Sequence, residues 1–113
     1  MEEFALVFRQ PSGSGLPTPE QNKEMRSKWD NWIGDIAAQG KFVGAKRLAY
    51  TGKVLKASGV ITDGPFVEIK EQLGGFISIK AENIEEATTL AHGCPIFQLG
   101  GNVEIRQVVP NNN

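Results

Sequence analysis

The chain has a single cysteine, so no disulfide can form within it. A lone thiol suits a reducing compartment. The chain also has a single histidine. His92 and Cys94 are near neighbours and do not make a four-ligand zinc site. No apolar run approaches the ~18 residues that a membrane span needs. The opening "MEEFALVFRQ" is acidic, and its apolar stretch is too short for the core of a signal peptide. An excess of one charge is missing too, because 12 basic and 13 acidic side chains leave a net charge of -1. That balance gives no electrostatic footprint for nucleic acid or an anionic membrane. It also supplies little repulsion between copies. The expectation is a cytoplasmic protein that self-associates, with no membrane partner and no direct nucleic-acid partner.

What is present fits one globular domain. The 113 residues are 40% hydrophobic. A chain of that length buries roughly two thirds of the surface its unfolded form exposes. The expected domain runs over 1–109, and "PNNN" at 110–113 reads as a frayed tail.

"EFALVFR" reads as a strand with Phe4, Leu6 and Phe8 on one face and Ala5 and Val7 on the other. Two apolar faces predict a central strand covered on both sides. "QPSGSGLPTP" reads as a loop without helix or strand. Thr18, Pro19 and Gln21 form a capping box with proline at the first helical position. Met25, Trp29, Trp32, Ile33, Ile36 and Ala37 then trace one helical stripe. Gly40 offers the left-handed stop. "KFVGAKRLAY" and "KVLKASGVI" read as two strands joined in a hairpin at Thr51-Gly52. After the charged corner "DGPFVEIKEQLGGF" comes the strand "GFISIKA", with Ile77 and Ile79 on one face. "ENIEEATTLAHG" reads as a second helix, capped by Asn83 with Glu86 three residues on. "NVEIRQVV" is the last strand.

The order is a doubled strand-helix-strand pattern, as in ferredoxin-like α+β folds. It predicts an antiparallel sheet with two helices on one face. Two helices leave the other face bare, yet several strands are apolar on both sides. Two such sheets closing face to face would make a dimeric α+β barrel, so the expected partner is a second copy.

The run "DGPFVEIKEQLGGF", then a strand, "IEEA", "CP" and "VEIRQV", resembles the YCII-related family in its DGPF subgroup. The likeness runs from about Phe42 to Val109, and the first strand and helix match in layout. The resemblance implies a ferredoxin-like fold that pairs as a dimeric α+β barrel. Some relatives are suspected enzymes with a histidine and an aspartate in a cleft, the histidine on the first helix. Here that helix, "PEQNKEMRSKWDNWIGDIAAQ", has no histidine, so the dyad is not carried over. The resemblance also implies an association with sigma factors, a hint of transcription regulation.

Asp63 reads as a turn former, or as a base or anchor held in a stiff turn at a pocket mouth. Phe66, just after the proline, reads as a core plug or a pocket wall. Glu68, Lys70 and Glu71 read as a solvated charge cluster, or Lys70 as the holder of an anionic ligand group. Gly74 and Gly75 suggest a tight turn or a bulge. His92 near a helix C-terminus and Cys94 just beyond it read as structural. Trp29 and Trp32 read as core, with one of them a wall of the cavity between helix and sheet or of the dimer seam. Arg47 is a second candidate for an anion. The functional expectation is a dimeric module binding a small polar or anionic ligand near the Asp63 turn, or a small enzyme there, with no metal and no cofactor indicated. The alternative is a non-catalytic regulatory or structural dimer.

Overall fold

The computed structural model describes residues 1–11, 18–49, 52–59, 61–63 and 71–110, with backbone only at 61–63, 71 and 72. Six strands, two α-helices and one short 3-10 helix are present among them.

Strand β1, Glu2–Pro11, alternates between half-buried and buried residues from Glu3 to Arg9. Phe4, Leu6 and Phe8 point into the core, and Ala5, Val7 and Arg9 point the other way. The strand continues through Gln10 and Pro11, two residues that the loop reading had excluded. A proline is tolerated there because β6 pairs with β1 only as far as Arg9, so Pro11 has a strand on one side alone. Helix α1, Pro19–Ala38, opens on the expected capping box. The Thr18 hydroxyl accepts from the Gln21 N–H at 3.1 Å, and the Gln21 side chain accepts from the Thr18 N–H at 2.9 Å. Gly40 follows the helix at φ 72°, the left-handed stop.

The segment after α1 departs from the expected hairpin at Thr51-Gly52. Strand β2, Phe42–Arg47, does not pair with β3, Lys53–Leu55; it pairs with β5, Glu71–Ala81. The expected second strand "KVLKASGVI" is broken by Gly59 at φ 87°. Lys53–Leu55 pairs instead with β4, Ile61–Asp63, as a separate ribbon. The expected single strand is thus two short ones, folded on each other across Gly59. Strand β5 begins at Glu71, earlier than the glycine pair suggested. Gly75, at φ 148°, sits at the register shift where β5 gains a residue against β1. This is the bulge reading of the glycine pair.

Helix α2, Ile84–Ala91, starts at Asn83, whose side chain accepts from the Glu86 N–H at 2.9 Å. A 3-10 helix, Pro95–Leu99, follows and buries Ile96. Strand β6, Asn102–Gln107, closes the sheet.

The main sheet is four-stranded and antiparallel in the order β2-β5-β1-β6. Both helices lie on one face. Phe4, Leu6, Phe8, Ile77, Ile79 and Ala81 of the sheet form one cluster with Trp32 and Ile36 of α1 and Ala87 and Ala91 of α2. Each fully buried large side chain in it contributes roughly 1.5–3 kcal/mol. β1 is central, as expected. The prediction that it is covered on both sides fails within one chain, because α1 and α2 share a face. No helix among the described residues is long and apolar enough to cross a membrane.

Candidate functional site

Of the residues singled out from the sequence as site candidates, Arg47, Trp29 and Trp32 are described with their side chains and Asp63 with its backbone. Asp63 ends the β4 ribbon, its backbone opposite Lys53. Phe66, Glu68 and Lys70 lie outside the described residues, as does all of 64–70 in the DGPF corner. Arg47 ends β2 opposite Gly75 and is exposed.

Trp29 and Trp32 lie between α1 and the sheet. Their rings meet edge to face at 5.6 Å, and Phe8 meets them at 5.0 Å and 6.0 Å. Such contacts add about 0.5–1.5 kcal/mol each beyond simple burial. The Trp32 indole N–H donates to the Leu90 carbonyl at 2.9 Å, which ties α1 to α2. Trp32 is buried and Trp29 half-buried, both on the helix-covered side of the sheet.

Cys94 is buried, and burial pushes its thiol up to about 12. A thiol so protonated is inert as a nucleophile. His92 ends α2 and is exposed. Among the described residues no group of acidic, histidine or cysteine side chains has the arrangement of a metal site. A hollow of about 310 Å³ lies against the first turns of α1, lined by Pro19, Asn22, Lys23 and Arg26. None of Asp63, Arg47, Trp29, Trp32, His92 and Cys94 lines it.

Glu86 is a local ionic hub. Lys41 donates to it at 3.0 Å, and the Glu82 N–H donates at 3.4 Å. The Lys41 hydrogen bond holds the Glu86 carboxyl below its ordinary value, against a smaller opposing effect of burial. A depressed carboxyl pKa stabilises the fold above the unfolded value of about 4.3, and that stabilisation is lost as pH falls through the folded value. Lys41→Met should therefore flatten the fall in melting temperature at the acid end, below about pH 4.5. Thermal melts between pH 3 and 7 would read this. Parallel curves for both proteins would show that the pair carries no acid dependence.

The uncovered sheet face is the most organised polar surface described. The register sets its side chains in rows across the strands. One row runs Lys46, Phe76, Val7, Glu104, and the next Gly44, Ser78, Ala5, Arg106. Leu73, Arg9 and Asn102 flank the first row, and Lys80 and Glu3 flank the second. Arg9 donates to Glu104 at 2.6 Å, and Arg106 stands 3.8 Å from the same carboxylate. Reading the sequence alone missed this face. Strand alternation in "EFALVFR" and "GFISIKA" holds part of the signal, but only the pairing register brings Lys46 and Arg106 beside them.

A four-stranded antiparallel sheet with two helices on one side defines an α+β protein. The chain matches the YCII-related domain over residues 4–112 and belongs to that family. No curated protein matches it.

Proposed function

We propose that this YCII-related chain is a small-molecule-binding module of ferredoxin-like topology, a single domain over 1–109, that works as a homodimer. In this reading two uncovered sheet faces close on each other as a dimeric α+β barrel. A cleft near the Asp63 turn takes a small polar or anionic ligand, with Asp63 as base or anchor and Lys70 or Arg47 as the cation. The observation that carries it is the one-sided placement of α1 and α2. It leaves Ala5, Val7, Leu73 and Phe76 without cover from the helices. Apolar side chains left exposed together mark an interaction site more often than apolar residues scattered singly.

A second reading is a non-catalytic regulatory dimer. The absence of histidine from Pro19–Ala38 favours it, since the suspected family dyad has no first member here. Native mass spectrometry of the freshly purified protein separates the readings. A dimer carrying a small-molecule mass supports the binding module. An empty dimer moves the weight to the regulatory reading. A monomer overturns face-to-face closure.

A further inference from the structure

The uncovered face is unbalanced in charge. Among the described side chains its cations are Arg9, Lys46, Lys80 and Arg106 and its carboxylates Glu3 and Glu104, and the register sets the backbone of Glu71 opposite Pro11 at its margin. Arg9 and Arg106 share the single carboxylate of Glu104. Glu3 stands across from Lys80 in register. Among the described residues, Lys46 is in ion-pair contact with no carboxylate. The whole chain is slightly acidic, at -1, so this excess is local to the face. Closure by a second copy would double it in one enclosed space. Like charges brought together out of water are costly unless something compensates them.

Shape adds to charge. Gly44, Ser78 and Ala5 are small and form a low row across three strands. Phe76 and Val7 rise on one side of it, with Phe76 37% exposed. Lys80 rises on the other, and Arg106 stands at one end. With strands about 4.8 Å apart and same-face residues about 6.8 Å apart along each strand, the row is a trough roughly 14 Å long. It has one apolar wall, a hydroxyl in its floor at Ser78, and a rim on which Lys46, Lys80 and Arg106 stand beside Glu3 and Glu104.

We infer that this trough binds an anionic, flat or slender small molecule, of the class of an aromatic or unsaturated carboxylate. The apolar part lies along Phe76 and Val7, and the carboxylate meets Lys46 or Arg106. An arginine fork suits a carboxylate in particular. The inference rests on the small-molecule part of the reading above and goes beyond it in place and in charge. It does not need the dimer, although an enclosed anion would neutralise the doubled cations. Single-stranded nucleic acid suits the face less well, because Phe76 is its one aromatic ring among the described residues and base recognition on sheets uses several.

The test uses 2-naphthoate as the probe and 2-naphthylmethanol as its neutral twin, followed by amide NMR of the full chain. Naphthoate should shift the amides of Ala5, Gly44, Ser78 and Arg106 in a saturable way. The neutral twin should bind more weakly. Lys46→Gln with Arg106→Gln should weaken naphthoate roughly tenfold or more, as loss of charge-assisted contacts implies, while leaving the rest of the spectrum in place. The inference is overturned if those amides stay still at millimolar naphthoate, or if the double variant or the twin binds equally well. It is also overturned if a single-stranded oligonucleotide binds this face and naphthoate does not. Sedimentation of the same samples keeps the two readings apart. A dimer that ignores naphthoate sinks the trough alone, and a monomer that binds it sinks closure alone.

Discussion

Leu6→Ala is expected to lower folding stability by about 3–4 kcal/mol, while Val7→Ser one residue on costs the single chain under about 1 kcal/mol. Leu6 has no exposed surface and lies in the cluster that joins the sheet to both helices. Truncating it removes buried methyl groups and leaves a cavity that the sheet cannot close, because β1 is pinned by β5 on one side and β6 on the other. Val7 lies on the uncovered face between Phe76 and Glu104. Its replacement should weaken self-association instead. Urea unfolding gives the first quantity, and sedimentation over a dilution series gives the second. Equal folding costs at the two positions would mean that both faces are packed alike in one chain, against the one-sided placement of the helices.

Gly75→Ala should cost about 2–4 kcal/mol, which lowers the melting temperature by roughly 10–15 °C in a domain of this size. Two causes combine. The residue sits at φ 148°, a conformation that side chains resist. A Cβ there would also overlap the Lys46 carbonyl oxygen and lie 3.2 Å from the Arg47 Cα. Gly40→Ala is the control. It has φ 72° but nothing near an added Cβ, so it should cost only about 1 kcal/mol. If the two variants melt together, the close approach of β2 to β5 is not rigid, and Arg47 is not held in place by it.

The helices were the most legible part of the sequence. Thr18, Gln21, Asn83 and Glu86 act within a few residues of themselves, so their chemistry can be read locally. Alternation in β1 and β5 likewise gave the buried faces. Pairing was less legible. The choice of β5 as the partner of β2 is a long-range one, and β3 pairs across Gly59 with β4 instead of back onto β2. The site was hardest. The residues of the DGPF corner announce themselves as a motif, whereas Lys46, Ser78 and Arg106 belong to three strands and look ordinary in each. Their proximity is a product of register, which no local window contains.

The central place of β1 has a consequence for how the protein is made. Its partners are β5, from Glu71, and β6, from Asn102. At about 5–20 residues per second, a ribosome needs roughly 3–12 s to pass from the end of β1 to the start of β5. For that interval an apolar strand without its neighbours is exposed to other nascent chains. The carboxylates of Glu2 and Glu3 before its apolar run, and Arg9 after it, flank the segment with charge. Such flanking charges discourage strands from pairing with the wrong chain. Arg9, which pairs with Glu104 on the finished sheet, thus joins Glu2 and Glu3 as gatekeepers of the unfinished strand.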